Sequence, residues 1–262
     1  MFRITEYKIA SEKVPKSFHG YRIVQLSDLH GAVYGDDNRD LIAAVRKAKP
    51  DVVVMTGDMM DSGKGAAELA VDLCCRIGQE FLALYIFGNH EQTLEKNTWQ
   101  NAALRIRESG VQILDNDWIE LQRGTDRIRF YGLTMPLVYY KDPFGEYEKG
   151  INFYKQDVQK ALGPAVPGKF NVLLAHNPLY YPAYYNWGAD LTLSGHVHGG
   201  VINIPGIGGL LSPDMTFFPK YDAGHFERNG RHLIVSRGLG NRFLFRVNNP
   251  PEVVVLTLEH KD

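Results

Sequence analysis

The chain has 262 residues, of which 44% are hydrophobic and 23% charged, a balance typical of a globular protein and not of a disordered one. Its 29 basic and 30 acidic side chains give a formal net charge of −1, which argues against binding to long nucleic acids. No apolar run is long enough to span a bilayer, the first ten residues lack the apolar core of a signal peptide, and the adjacent Cys74 and Cys75 cannot provide a disulfide framework or a thiolate zinc site.

The first half of the chain alternates predicted strands with predicted helices. An edge strand over residues 4–9 and a strand over 21–26 precede a helix over 39–49, whose apolar residues recur at helical spacing. The pattern continues with a strand at 51–55, a helix at 66–77 that Gly78 is expected to end, a strand at 81–87, a helix at 99–109 and a strand at 111–114. This alternation favours a mostly parallel sheet with right-handed crossovers.

The second half has fewer helices and more loops rich in glycine and proline. Residues 118–121 and 128–133 flank a polar turn at 123–126 and predict a hairpin, and residues 155–162 predict a short helix. Further strands are predicted at 170–175, 191–194, 201–204, 232–236 and 253–258. Because no linker or low-complexity stretch separates the halves, we expect a single domain over residues 1–262 with two packed sheets and helices outside.

Five predicted strands each run directly into a short polar cluster. The clusters are Ser27-Asp28-Leu29-His30, Thr56-Gly57-Asp58-Met59-Met60-Asp61, Gly88-Asn89-His90-Glu91, His176-Asn177-Pro178 and Gly195-His196-Val197-His198. In parallel α/β sheets the functional crevice lies at the carboxyl ends of the strands, so we expect all five to converge at one rim. In extended backbone, residues i and i+2 point to the same side, so Asp28 with His30, and His196 with His198, could each face one ion.

The residue types are those of a metal site without thiolate ligands. The candidates are carboxylate, amide and imidazole side chains: Asp28, His30, Asp58, Asn89, His176, His196 and His198. This set suits Mn, Fe or Zn, with Ni, Co and Mg as alternatives. Seven ligands are too many for one tetrahedral ion but suit two divalent cations that share a bridging carboxylate. Such a pair turns a water into a hydroxide nucleophile for in-line displacement at phosphorus.

Taken singly, each cluster also fits an ordinary turn, since glycine, aspartate and asparagine are common turn residues. Their joint occurrence, in this order, resembles the motif series of the calcineurin-like metallophosphoesterases over residues 28–198. Flanking residues further resemble a bacterial, often membrane-associated branch, similar to enzymes that hydrolyse UDP-diacylglucosamine in lipid A synthesis. These are His198-Gly199-Gly200, Pro205-Gly206, Arg237-Gly238-Leu239-Gly240 and Pro250-Pro251-Glu252. The resemblance implies a four-layer αββα sandwich of two mixed β-sheets flanked by helices.

The resemblance also implies a role for each candidate residue. One cation would be bound by Asp28, His30, Asp58 and His198, and the other by Asp58, Asn89, His176 and His196. His90 would contact the phosphate and protonate the leaving group, and Asp61 would orient His90, in keeping with a histidine acid that works near neutral pH. Asn89 and His90 would complete the phosphate cradle.

The resemblance leaves the substrate open among phosphodiesters, pyrophosphates and phosphomonoesters, including a nucleotide-sugar lipid or another phospholipid-like molecule. Protein phosphatases of this superfamily carry Arg-Gly after the second aspartate, whereas here Ser62-Gly63 follows Asp61, which disfavours that activity. Arg237 and Arg242 are candidates for extra substrate contacts, with ordinary surface arginines as the alternative. A catalytically weak scaffold of the same fold and a nuclease are the competing functions.

Two aromatic stretches could contribute to recognition. Residues 184–187 follow the His176 loop and could line the mouth of the site. Phe243-Leu244-Phe245 lies between Arg242 and Arg246, a pattern that suits an anionic membrane surface, although a buried turn explains it too. We expect a monomer that is cytoplasmic, or peripheral or anchored at the membrane if a preceding segment is missing.

Overall fold

The computed structural model describes residues 1–61, 65–140, 152–200, 202–204, 208–211, 217–240 and 246–261. The helices are α1 (Arg39–Ala48), α2 (Ala66–Glu80), α3 (Asn89–Thr93), α4 (Lys96–Glu108), α5 (Lys155–Leu162) and α6 (Tyr181–Trp187). The strands are β1 (Arg3–Ser11), β2 (Arg22–Leu26), β3 (Val52–Met55), β4 (Ala83–Tyr85), β5 (Gln112–Ile113), β6 (Asp117–Arg123), β7 (Asp126–Leu133), β8 (Asn171–Ala175), β9 (Leu191–Ser194), β10 (Asn203–Ile204), β11 (Gly208–Gly209), β12 (Gly224–Arg228), β13 (Arg231–Val235) and β14 (Glu252–His260).

Within the described residues the long strands form two six-stranded sheets, with β10 and β11 as a separate small pair. The first sheet has the order β1-β14-β2-β3-β4-β5, in which only the β14–β2 pairing is antiparallel. The second has the order β12-β13-β9-β8-β7-β6, with antiparallel hairpins at both edges and parallel strands between them. Both sheets are therefore mixed, as expected from the sequence.

Strand β3 shows how the first sheet packs against an apolar layer on each of its two faces. Val52 and Val54 pack into the core between the sheets, whereas Val53 and Met55 pack outward against α1, α2 and α4. Alternation along a strand puts successive side chains on opposite faces, so a strand buried on both faces must be apolar at every position. The continuous run predicted at residues 51–55 reflects this double burial.

Strand β8 does the same in the second sheet. Val172 and Leu174 meet the first sheet's side chains, whereas Leu173 and Ala175 pack outward with residues of α5 and α6. The two outer cores and the core between the sheets define the layer order helix–sheet–sheet–helix. The structure thus confirms the predicted four-layer αββα sandwich.

Several boundaries differ from the predictions for physical reasons. Gly78 does not end a helix, because α2 continues to Glu80; a Cβ at this position would lie 2.6 Å from Val111 Cγ2, so glycine allows close packing. Helix α6 and strand β12 were not predicted, since short, aromatic or polar segments carry little periodicity. Of the predicted strand at 201–204, Asn203–Ile204 form β10, Ile202 forms an isolated bridge with Val247, and residue 201 lies outside the described residues.

Candidate metal centre

The structure brings the five polar clusters together at the carboxyl ends of β2, β3, β4, β8 and β9. Asp28, His30 and His198 form one group in which the potential ligand atoms all lie within 4.8 Å of one another. Asp58, His176 and His196 form a second group that meets the same limit. Loops far apart in sequence therefore converge, as the strand-end pattern predicts.

The backbone that delivers these side chains is not extended. Five of the candidate residues have a positive φ between 48° and 70°: Asp28, His30, Asp58, His196 and His198. This left-handed conformation is uncommon outside glycine and costs on the order of 1–3 kcal/mol per residue, so it persists only where surrounding contacts enforce it. The extended backbone that the prediction assumed is therefore wrong for both pairs. Asp28 and His30 nevertheless face one group, as predicted, whereas His196 and His198 face different groups.

Asp58 lies between the two groups. Its Oδ2 is 3.1 Å from His176 Nε2 and 3.9 Å from His30 Nε2, while its Oδ1 accepts a hydrogen bond from the backbone N–H of His90 at 2.9 Å. The carboxylate is buried, with the side chain only 3% exposed. One oxygen of Asp58 can therefore reach histidines from both groups.

The first group packs two imidazoles and a carboxylate into direct contact. His30 Nε2 and His198 Nε2 are 3.1 Å apart, and His198 Nε2 is 3.4 Å from Asp28 Oδ1. That Asp28 oxygen also accepts a hydrogen bond from the backbone N–H of His196 at 2.9 Å. Three potential ligand atoms thus lie around one small volume. A proton or a cation between them is needed to offset the mutual repulsion of their lone pairs.

Burial and mutual charge shift the protonation of these groups in the cation-free protein. Burial raises the pKa of Asp28, whereas His176 holds the pKa of Asp58 well below its usual value although burial opposes it. Burial also opposes a charge on His176, but Asp58 raises the pKa of that imidazole to about 10. Burial, followed by the charge of His30, lowers the pKa of His198. The cluster accordingly depends on bound protons or cations for charge balance.

The residues present fit a divalent cation. The Oδ1 atom of Asn89 is buried and has no hydrogen-bond partner, although a buried amide oxygen is ordinarily satisfied. Among the described residues, no lysine or arginine nitrogen lies within 4.0 Å of the Asp28 or Asp58 carboxylate, so their direct ion-pair partners are histidines. Oxygen and imidazole ligands without thiolates match the preferences of Mn, Fe or Zn ions.

Outer hydrogen bonds hold the candidate ligands in place. His176 Nδ1 donates to the carbonyl oxygen of Thr56 at 2.7 Å, which leaves Nε2 facing Asp58. Such a second partner fixes both the tautomer and the orientation of a ligating histidine. Asn249 donates to the carbonyl oxygens of His198 and Gly200 at 2.6 Å and 2.5 Å.

Glu91 anchors two of the loops and had no role assigned from the sequence. Its carboxylate accepts hydrogen bonds from the backbone N–H groups of Asp58, Met60 and Gly88 at 2.9, 3.0 and 2.8 Å, and from the Tyr85 hydroxyl at 2.8 Å. The signal was available, because a glutamate three residues after the start of a helix is the pattern of a capping box. Here the glutamate of the capping box also holds the turn that contains Asp58.

A third group stands at the outer side of the site. His90 Nδ1 is 3.3 Å from Asp61 Oδ1, and His30 Nδ1 is 3.6 Å from Asp61 Oδ2. The nearby imidazoles of His30 and then His90 hold the pKa of Asp61 well below its usual value. Asp61 is 29% exposed and His90 is 12% exposed, so these two are more accessible than Asp28 and Asp58.

Comparison with known proteins places this geometry in a family. Residues 21–200, which include all five clusters, match the family described as calcineurin-like phosphoesterase. The chain belongs to the calcineurin-like phosphoesterase family. It is therefore a metal-dependent phosphate ester hydrolase, and its substrate is a phosphate ester.

Relatives extend this likeness over almost the whole chain. The uncharacterised metallophosphoesterase YkuE of Bacillus subtilis is 27% identical over 272 residues, covering 99% of this chain and 86% of that protein. Phosphodiesterase YaeI of Escherichia coli is 26% identical over 243 residues, covering 91% and 82%. UDP-2,3-diacylglucosamine pyrophosphatase LpxG of Chlamydia muridarum is 25% identical over 290 residues, covering 93% and 86%.

Other sequence-based candidates for this phosphoesterase have different outcomes. Arg237 donates to Asn249 Oδ1 at 3.0 Å and lies beside Glu252, so it supports the loop of His198 and does not point freely toward a substrate. Tyr184 is buried in the outer core, where its hydroxyl donates to the carbonyl oxygen of Asn177, so this part of residues 184–187 does not line a mouth. Outside the described residues lie Arg242, Phe243-Leu244-Phe245, Ser62-Gly63 and Pro205-Gly206.

In the part of the chain described here, no helix has the length and apolarity needed to cross a membrane.

Proposed function

We propose that the chain hydrolyses phosphodiester or pyrophosphate bonds at a centre of two divalent cations. One cation site would comprise Asp28, His30, Asp58 and His198, and the other Asp58, Asn89, His176 and His196. The observation that carries this proposal is the place of Asp58, whose Oδ2 is within 4 Å of histidine nitrogens from both groups. A buried carboxylate in that position is suited to bridge two ions.

The bound cations would supply Lewis-acid stabilisation of charge on the phosphoryl oxygens and an activated water as the nucleophile. The protein's own contribution is to hold the ligand atoms rigidly before substrate arrives. Glu91 fixes the Asp58 and Gly88 turns through three hydrogen bonds from backbone N–H groups, and Thr56 fixes His176. Groups that are already oriented need little reorganisation during the reaction.

We assign proton donation to His90. Its Nδ1 lies 3.3 Å from the Asp61 carboxylate, which orients the ring, and a histidine held in this way is a suitable acid for the leaving oxygen. The depressed pKa of Asp61 keeps that carboxylate ionised at neutral pH, where it fixes the orientation of the His90 ring. Asp61 is thus a positioning residue, whereas His90 and Asn89 would touch the phosphate.

Within the described residues, the charge around the site supports a phosphodiester in preference to a phosphomonoester. Arg246 Nη2 is 3.2 Å from His198 Nδ1, but its guanidinium donates to the carbonyl oxygens of Arg237 and Gly240. Its hydrogen-bonding capacity is thus largely used within the protein. A monoester dianion carries one more negative charge than a phosphodiester, and a freely presented arginine would bind that charge well. Phosphodiesterase YaeI and pyrophosphatase LpxG carry names that agree with this substrate class.

A substrate panel tests the proposal. The protein is loaded with Mn²⁺ and assayed on bis(p-nitrophenyl) phosphate, p-nitrophenyl phosphate and a UDP-sugar lipid, with a chelator-treated sample as control. We expect cation-dependent hydrolysis of the diester or the pyrophosphate at a higher kcat/KM than of the monoester. A preference for the monoester would overturn the substrate class, and inactivity of fully loaded protein toward all three would favour the scaffold alternative.

A further inference from the structure

A second cluster of metal-ligating side chains lies outside the catalytic rim. His225, Glu227 and His232 present ligand atoms that all lie within 4.8 Å of one another. His225 Nε2 and His232 Nδ1 are 3.0 Å apart. His232 is buried at 5% exposure, whereas His225 and Glu227 are exposed, so the cluster has a protected side and an open side.

The β12–β13 hairpin places these three side chains on one face. Glu227 pairs directly with His232 across the strands, and His225 pairs with Ile234. Residues two apart on a strand share a face, as do directly paired residues on neighbouring strands. Ile234 belongs to the core between the sheets, so His225, Glu227 and His232 also face the inner side of the second sheet.

On that side the cluster meets the edge of the first sheet. The rings of Tyr7, on β1, and His225 lie 5.9 Å apart in an edge-to-face arrangement. Edge strands β1 and β12 are thus neighbours at the open side of the sandwich, and the cluster sits where they approach each other. A ligand bound there would hold the β12–β13 hairpin in place at the edge of the second sheet.

This cluster is well separated from the proposed catalytic centre. His232 pairs with Leu191 at the beginning of β9, whereas His196 and His198 follow Ser194 at the end of that strand. Three residues of strand span about 10 Å, so the two sets of histidines lie toward opposite ends of the second sheet. A cation bound at His232 could not also contact the catalytic groups.

We propose that His225, Glu227 and His232 form an additional site for a zinc-class divalent cation, independent of catalysis. Ligand atoms around a tetrahedral zinc ion at about 2.0–2.1 Å are separated by roughly 3.3 Å, close to the 3.0 Å between the two imidazole nitrogens. Two imidazoles and a carboxylate leave a fourth position for water on the exposed side. The same ligands also suit Ni²⁺ and Cu²⁺.

The protonation of the cluster supports cation binding. Burial lowers the pKa of both His225 and His232, which favours the neutral imidazoles that can ligate a cation. A neutral histidine pair can also share one proton in a simple hydrogen bond, which is the competing explanation. Only the cation explanation gives Glu227 a necessary role.

Metal counting on matched variants separates the two explanations. The variants are His225→Gln, Glu227→Gln and, as control, His19→Gln, which removes an exposed imidazole outside every group described above. Each protein is stripped with chelator, dialysed against buffered Zn²⁺ and analysed for bound zinc per chain. Thermal unfolding with and without Zn²⁺ and Mn²⁺-supported diesterase activity are measured in parallel.

We expect wild type and His19→Gln to bind one more zinc ion per chain than His225→Gln, and Glu227→Gln to bind that ion at least tenfold more weakly. The part of the zinc-dependent increase in Tm that this site contributes should be lost in the same two variants, while diesterase activity stays within about twofold. Equal zinc content in wild type and His225→Gln would overturn the proposal. A normal zinc affinity in Glu227→Gln would overturn the three-ligand site. Because the comparison is a difference between variants, it does not depend on how many ions the catalytic rim holds.

Discussion

The rim of the sandwich and the core between its sheets differ in the kind of side chain that they bury and in the backbone that carries it. In the core, side chains such as Val54, Phe130 and Leu174 are completely buried, apolar and delivered by regular strands. At the rim, Asp28 and Asp58 are also buried, yet they are charged groups on left-handed backbone. The same depth of burial therefore stabilises the fold in one region and holds backbone strain and buried charge in the other.

This contrast indicates a division of labour. Apolar contacts fix the ends of β2, β3, β8 and β9, and the rigid ends hold the polar turns in conformations that they would not adopt alone. Changes at the rim should affect cation binding and chemistry more than stability, whereas changes in the core should do the reverse. The following predictions test each half of that statement.

The largest expected effect comes from Asp58→Asn. Losing the carboxylate that faces both histidine groups should abolish retention of two cations and lower diesterase activity to that of chelator-treated protein. The matched control is Asp190→Asn, since both aspartates are 2% exposed but Asp190 pairs with Lys13 and precedes β9. Metal analysis and kinetics on both variants check this; two tightly held ions in Asp58→Asn would contradict the bridging role.

His90→Asn should retain both cations and lower kcat by about 10²–10⁴-fold, the range for loss of a general acid. The loss should be smaller for a p-nitrophenyl leaving group, which is stable as an anion, than for an alkyl leaving group, which needs a proton. Kinetics on matched aryl and alkyl diesters measure this difference. An equal loss on both substrates would indicate that His90 positions the phosphate and does not donate the proton.

Phe130→Ala should affect the other region. Removing this fully buried ring from the core should lower the free energy of unfolding by about 3–5 kcal/mol because of lost burial and a residual cavity. Denaturant unfolding measures the change. Activity per folded molecule and cation content, measured below the unfolding transition, should stay near the wild-type values; a loss of either would show that the two regions are not separable.

The smallest effect concerns protons released on cation binding. Because the pKa of His176 is raised to about 10, this imidazole is protonated at pH 7 in the cation-free protein and must lose its proton to ligate. For each proton that the cation displaces, lowering the pH by one unit should therefore weaken the apparent cation affinity about tenfold. Calorimetry in buffers of different ionisation enthalpy counts the protons, and no release near pH 7 would contradict the role of His176.

The same shift has a defined consequence for stability without cations. A raised native pKa stabilises the folded protein fully below the unfolded value near 6.5, and that contribution is lost as pH rises through about 10. The cation-free protein should therefore lose this part of its stability on the alkaline side. Chemical denaturation of chelator-treated protein at several pH values measures the trend.

The layers could be predicted from the sequence because a strand that is buried on both faces is apolar at successive positions. The apolar runs at β3 and β8 and the helical spacing in α1 each reflect a local rule. Gly78 was misinterpreted because its reason is tertiary, a close approach to Val111 that no local pattern encodes. Helix α6 was missed since its residues YPAYYNW form part of a buried aromatic cluster without clear amphipathicity.

For the site, convergence was predictable but its geometry was not. Polar residues at strand ends predicted one rim, and the resemblance supplied the pairing of His196 and His198 with different groups. Extended spacing, the only local argument available, assumed the wrong backbone, since the turns adopt positive φ, and it gave the wrong grouping for His196 and His198. The support from Asn249 was not predictable from spacing, since it is separated from His198 by 51 residues.

A crystal structure of the Mn²⁺-loaded protein, with anomalous scattering recorded at a manganese-sensitive wavelength, tests the central claim most directly. The account predicts two anomalous peaks about 3.5–4 Å apart, one beside Asp28, His30 and His198 and one beside Asn89, His176 and His196, with Asp58 bound to both. A single peak at the rim of fully loaded protein, or two peaks that do not share Asp58, would contradict it.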